Sequence, residues 1–134
     1  MVSCIFISVR NSSTRLPNKA ILNISGKPTI QYLIENIKKS KSADKVILCT
    51  SDKQDDDILC QIASDCGIEY FRGESNDVLD RYYTCAKKFQ FSTIVRITSD
   101  NPLIDPLIVD NVIDKFMNSK YDYASTDLKT YPLG

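Results

Sequence analysis

At 134 residues the chain has room for one domain with a real buried core and none for a second independent one. Seventeen basic and seventeen acidic side chains cancel, so no whole-molecule field draws it to nucleic acid or to an anionic membrane, and any anion site has to be local. The sequence holds no histidine, which excludes a Cys/His zinc site, a Ser-His-Asp triad and a histidine general base within these residues.

No apolar run approaches the ~20 residues of a membrane span, and no charged-then-apolar leader opens the chain, so the expectation is a cytoplasmic protein without a membrane span. Cys4, Cys49, Cys60, Cys66 and Cys85 are odd in number and lack CxxC spacing. They read as reduced thiols serving as small hydrophobes.

Residues 2–9, with the apolar run Cys4-Ile5-Phe6-Ile7, predict a first and central strand. Directly after it comes Arg10-Asn11-Ser12-Ser13-Thr14-Arg15-Leu16-Pro17-Asn18-Lys19, three cations and a cluster of small hydroxylic residues at a strand end, where open α/β sheets place ligand loops. Small side chains let backbone N–H groups approach an anion, while Arg15 and Lys19 supply a forked and a point donor, so the loop suits a polyphosphate. A solvated basic loop explains the same composition.

Residues 28–39 predict a helix, with Pro28 in its first turn and Ile30, Leu33, Ile34 and Ile37 on one face; Lys38, Lys39 and Lys41 then complement its C-terminal dipole. Residues 45–50 predict a strand, followed by a helix over about 55–66 that Gly67 ends. The run Asp55-Asp56-Asp57 resembles a metal cluster, yet acids at a helix start are what the macrodipole favours. A short strand at 68–71 leads to a helix over 77–89, with Asn76 as N-cap and Val78, Leu79, Tyr82, Ala86 and Phe89 inward. Residues 93–98 are apolar enough for a central strand. Asp105-Pro106 caps a last helix carrying Leu107, Ile108, Val112, Ile113 and Phe116, and residues 121–125 predict a fifth strand.

This alternation predicts an α/β fold, a Rossmann-like three-layer αβα unit with a mostly parallel sheet spanning residues 1–134. The 10–19 loop and Ser99-Asp100 both fall at carboxyl ends of strands, and lie together if those strands are neighbours. Asp100 has two readings: a carboxylate just past a buried strand can hold Mg²⁺, or it caps the turn into Asn101-Pro102. Asp77, Asp80 and Arg81 are explained by capping and a surface ion pair as readily as by a ligand, and Thr50-Ser51-Asp52 by turn chemistry.

Arg-x-x-Ser-Thr-Arg-Leu-Pro-x-Lys after an N-terminal strand resembles the signature loop of the cytidylyltransferase family, the CMP-sugar synthetases and most closely the spore coat polysaccharide biosynthesis protein F type. Further stretches follow in the same order: Gly26-Lys27-Pro28, Phe71-Arg72-Gly73-Glu74, Asp77-Val78-Leu79-Asp80-Arg81-Tyr82-Tyr83, the run from Arg96 through Ser99-Asp100 to Pro106, and Tyr131-Pro132-Leu133-Gly134. The resemblance implies a nucleotide-diphospho-sugar transferase-like fold, incomplete at its C-terminus, that is the nucleotide-binding part of such a domain. It implies a sugar hydroxyl attacking the α-phosphorus of CTP with release of pyrophosphate, in surface polysaccharide or glycan biosynthesis. Arg15 and Lys19 would then be catalytic in holding the β- and γ-phosphates, Arg10, Ser12, Ser13, Thr14 and Arg81 would contact the nucleotide, and Asp100 would hold Mg²⁺. CTP and a sugar acceptor are the implied partners.

The family usually has glycine where this chain has Ser12 and Ser99, and its sugar-binding segment and second metal carboxylate follow the Tyr-Pro-x-Gly stretch. Three readings stay open: a cytidylyltransferase or its nucleotide-binding half, a relative that binds nucleotide without turnover, and a Rossmann-like module that docks on a partner. The expectation is that these residues alone do not form a CMP-sugar, and that the chain forms a homo-oligomer or pairs through its C-terminal sheet edge.

Overall fold

The computed structural model describes residues 2–12 and 15–126. In chain order its elements are β1 (Ser3–Ser8), β2 (Asn23–Ile24), β3 (Lys27–Pro28), α1 (Thr29–Ile37), β4 (Lys45–Ser51), α2 (Asp57–Asp65), β5 (Glu69–Gly73), α3 (Val78–Phe89), β6 (Thr93–Thr98) and α4 (Pro106–Met117), with short 3₁₀ turns at Lys19–Ile21 and Gln54–Asp56. The main sheet has the order β5-β4-β1-β6 and every ladder in it is parallel. Phe6 in β1 stands opposite Ile47 on one side and Arg96 on the other.

Period-2 alternation along β1 divides the core between the two faces of the sheet. Ile5 and Ile7 join a cluster with Ile30, Leu33, Ile34 and Ile37 of α1, Leu59, Ile62 and Ala63 of α2, and Val109 and Ile113 of α4. Cys4 and Phe6 face the other way, with Ile47, Cys49, Phe71 and Cys85, against Tyr82, Ala86 and Phe89 of α3. The result is the three-layer αβα arrangement. Helix α1 has no side-chain cap at Pro28. A missing cap costs about 1 kcal/mol, whereas its four fully buried aliphatic residues contribute roughly 1.5–3 kcal/mol each, so packing holds this helix in place.

Several sequence expectations are corrected. The N-cap of α3 is Asp77, whose carboxylate accepts from the Asp80 N–H at 2.9 Å, and not Asn76. Its inward stripe carries Arg81 and Cys85, while Leu79 is 78% exposed. Hydrophobicity alone points Leu79 inward and an arginine outward; the register of α3 on β4 and β5 does the reverse. Among the described residues strand β6 sits at the edge of the four-stranded sheet, whereas the sequence pattern predicts a central strand. Its apolar character serves one face, where Val95 and Ile97 meet the α4 side, and Ile94 is half-exposed. Residues 121–125 form no strand. The small antiparallel β2–β3 hairpin, turning at Ser25 and Gly26 in left-handed conformations, carries too few residues to show in the sequence pattern. Gly67 does end α2, at φ +75°. The Tyr131-Pro132-Leu133-Gly134 stretch lies outside the described residues.

The acidic run at the start of α2 is used one residue at a time. Asp57 pairs with Arg72 Nη1 at 2.6 Å and Asp55 is exposed. Asp56 is 2% exposed and turns inward, where Oδ1 accepts from the Asn11 N–H at 2.7 Å and Oδ2 accepts from the Ser51 N–H at 3.3 Å and from the Ser51 hydroxyl. Asp56→Ala therefore leaves three donors stranded around a void. We expect a loss of roughly 2–4 kcal/mol, read from urea unfolding. A loss under about 0.5 kcal/mol would show that this carboxylate is not a structural tie.

Candidate functional site

The carboxyl ends of β1, β4 and β6 open into a cleft of ≈ 830 Å³. Its floor is Ser8 and Val9; its walls are residues of the 10–20 loop, Lys53 and Asp55 after β4, the turn at Ser75-Asn76, Arg81 of α3, and Ser99 after β6. Parallel strands place all these loops at one end of the sheet, which is why segments as distant in sequence as Ser8 and Ser99 converge there.

The loop after β1 is closed on itself and tied to its neighbour. The Asn18 N–H donates to the Asn11 carbonyl at 3.2 Å, with Asn18 at φ 58°, a conformation asparagine tolerates better than most residues. Asn11 is itself buried: its N–H goes to Asp56, and its side-chain Nδ2 donates to the Asp55 carbonyl at 2.7 Å. The 3₁₀ turn that follows buries Ala20 and leaves Lys19 exposed on the cleft side.

Five cationic side chains, Arg10, Arg15, Lys19, Lys53 and Arg81, line the cleft against one carboxylate, Asp55. Among the described residues, the side chains of Arg15 and Lys19 make no hydrogen bond or ion pair. Arg10 and Arg81 grip the β5–α3 turn, Arg10 Nη1 donating to the Ser75 carbonyl at 3.3 Å and Arg81 Nη1 to the Glu74 carbonyl at 3.1 Å.

Arg81 is 1% exposed, its Nε has no partner, and no carboxylate among the described residues lies within ion-pair distance of it. A buried charge without a counterion is costly, so a guanidinium held this way at the edge of a cleft suits an anion arriving from outside. Gly73 makes room for it: a Cβ there would stand 2.9 Å from Arg81 Cγ.

Of the residues singled out from the sequence, Arg10, Ser12, Arg15, Lys19 and Arg81 line this cleft together. Ser13 and Thr14 lie outside the described residues. Ser99 lines the cleft, while Asp100 points toward the neighbouring groove between β6 and α4. The Asp100 carboxylate accepts from the Thr98 hydroxyl at 2.6 Å, which holds it below the usual carboxylate range; burial opposes the shift and the Lys19 charge reinforces it. Capping two residues on is impossible, because Pro102 has no N–H.

Among the described residues no cluster of three or more His, Cys, Asp or Glu could cage a metal. A single ionised carboxylate beside a cationic cleft fits Mg²⁺ carried in on phosphate oxygens, since that ion takes only one or two carboxylates and keeps its other positions for phosphate and water.

Lys53 and the cleft position of the Ser75-Asn76 turn escaped the sequence reading, which singles out the loop holding Asn11 but gives that residue no role of its own. Their one signal is position, a polar residue just past a strand end, and that does not distinguish a cleft wall from a solvated turn. The positive-φ non-glycine positions among the described residues are Asn18, Ser25 and Gln90, so Ser12 and Ser99, where the resemblance implies glycine, carry no left-handed strain.

A cytidylyltransferase family model matches residues 4–133. The chain is 34% identical over 132 residues to the spore coat polysaccharide biosynthesis protein SpsF of Bacillus subtilis, covering 96% of this chain and 54% of that protein. It is 30% identical over 113 residues to a 3-deoxy-manno-octulosonate cytidylyltransferase of Trichlorobacter lovleyi, covering 84% of this chain and 44% of the relative. Among solved structures, a cytidylyltransferase from Leptospira borgpetersenii is similar with a TM-score of 0.86 at 37% identity, over 90% of this chain and 50% of that one. The chain thus spans about half the length of the relatives it matches. No helix among the described residues is long and apolar enough to cross a membrane. Every residue that lines the cleft falls inside the matched stretch, and the chain belongs to the cytidylyltransferase family.

Proposed function

We propose that the cleft binds CTP with a divalent cation and serves transfer of CMP to a sugar hydroxyl, with release of pyrophosphate. The observation that carries this reading is the charge imbalance of the cleft, above all Arg81, buried and without a counterion among the described residues. The base and the acceptor class rest on the relatives, one of which is named for a 3-deoxy-manno-octulosonate substrate and another for spore coat polysaccharide biosynthesis.

In such a transfer the sugar oxygen bonds to the α-phosphorus as the bond to the pyrophosphate oxygen breaks, so the protein has to position the two ends and neutralise the leaving group. Arg15 and Lys19, both exposed and uncommitted, are the residues we assign to the β- and γ-phosphates. Arg10 and Arg81 contact the nucleotide from the turn they already grip, and Ser12, Ser13 and Thr14 supply small side chains that let the loop backbone close on phosphate. Asp100 would hold Mg²⁺, which supplies charge neutralisation across phosphate oxygens when bound. No step needs a nucleophilic side chain, so a chain without histidine is no obstacle.

CTP with Mg²⁺ should raise the melting temperature more than ATP, GTP or UTP with Mg²⁺, by a stabilisation approaching about 2.7 kcal/mol at ~100 Kd. Equal shifts with all four nucleotides would leave a phosphate site and remove the cytidine assignment. Arg15→Ala and Lys19→Ala should each weaken CTP binding by roughly 1.5–3 kcal/mol while the free protein melts as before, because neither side chain has a hydrogen bond or ion pair to lose among the described residues. A variant that bound CTP normally but melted much earlier would make its residue structural. Asp100→Asn should abolish the metal dependence of binding and keep a weak metal-free component; undiminished Mg²⁺ dependence would move the metal to another carboxylate.

A further inference from the structure

The cations assigned so far come from the loop after β1 and from α3. Lys53 comes from the segment after β4, on another wall of the same cleft. Its main chain is clamped at both ends: the N–H donates to Ser51 Oγ at 3.3 Å, and the carbonyl accepts from Arg72 Nη2 at 2.6 Å. Arg72 has no freedom of its own, with Nε on the Ser51 carbonyl at 2.9 Å and Nη1 on Asp57 at 2.6 Å.

The Ser51 hydroxyl that receives the Lys53 N–H also donates to Asp56, the carboxylate that fixes Asn11 in the facing loop. One network therefore sets the spacing between the backbone of Lys53 and the backbone of the 10–19 loop. The Lys53 ammonium itself makes no hydrogen bond or ion pair among the described residues, although Asp55 lines the same wall two residues on. A fully engaged arginine fixes the main chain of a lysine whose charge stays uncommitted at the cleft.

We propose that Lys53 is a further anion-binding residue, holding the polyphosphate of the ligand from the wall that faces the 10–19 loop. The proposal rests on the nucleotide-binding reading of the cleft and adds to it a contact outside the signature loop. With cations on two sides the polyphosphate is clamped, and the terminal phosphates, which carry the most charge, gain most.

The test is titration of the full chain with CTP, CMP and inorganic pyrophosphate, each with Mg²⁺, for wild type, Lys53→Ala and Lys53→Arg. Lys53→Ala should weaken CTP and pyrophosphate about tenfold, the scale of one charged hydrogen bond, and CMP less than about twofold. Lys53→Arg should recover most of the loss, which a merely structural lysine would not require, and the melting temperature of the free protein should not move. If wild type binds CTP and pyrophosphate and Lys53→Ala binds them equally well, the assignment of Lys53 is overturned and the cleft reading stands. An equal loss for CMP and CTP overturns the polyphosphate placement. If wild type binds none of the three, the nucleotide reading falls and this inference falls with it.

Discussion

The carboxylate of Asp56 is the constraint on which the rest of the site depends. It is buried between β1 and β4, and it accepts from Asn11 on one oxygen and from Ser51 on the other. Each of those donors belongs to a different cleft wall. The Asn11 bond sets where the loop after β1 begins, and the Asn18 to Asn11 bond then closes it. The Ser51 bonds set where β4 ends, and Arg72 carries that order on to Lys53 and Asp57. A loop rich in small polar residues has little apolar surface with which to fix itself. Charge-assisted bonds to a buried carboxylate anchor the backbone at Asn11 and at Ser51, so two walls of the cleft are tied to one another without the ligand.

Electrostatics and packing are divided between the two ends of the sheet. The aliphatic residues of α1, α2 and α4 fill one face and the aromatic and thiol residues around α3 fill the other. Charge collects at the carboxyl ends of the strands, where, among the described residues, five cations and one carboxylate line the cleft. Arg81 joins the two regions. Its helix buries it beside Gly73 while its guanidinium reaches the cleft, so packing fixes where that charge stands although no carboxylate among the described residues pairs with it.

Much of the fold was legible because its signals are local and repeated. The apolar run at residues 4–7, the spacing of Ile30, Leu33, Ile34 and Ile37, and the Asp105-Pro106 start of α4 each specify an element without tertiary help. Gly67 marked the end of α2 for the same reason. What escaped was decided by neighbours. Whether β6 is central depends on which strands flank it, and the inward face of α3 depends on the sheet beneath it, so a buried Arg81 beside an exposed Leu79 could not be read from hydrophobicity. The candidate site divides in the same way. The cations of the 10–19 loop stand in one contiguous stretch, whereas Lys53 enters the cleft only because β4 runs parallel to β1. Asp55, Asp56 and Asp57 are alike in the sequence, yet one faces the cleft, one ties two loops together and one pairs with Arg72.

The central claim is that a cleft already fixed by Asp56 receives a nucleotide triphosphate between the loop after β1, the segment after β4 and the turn before α3. Amide hydrogen exchange, followed with and without CTP and Mg²⁺, tests it most directly. The Asn11 amide should be protected before ligand is added, and CTP should deepen protection across residues 10–19, 51–56 and 74–81 together. Protection confined to the groove between β6 and α4, or an Asn11 amide that exchanges freely until CTP is present, would contradict the account.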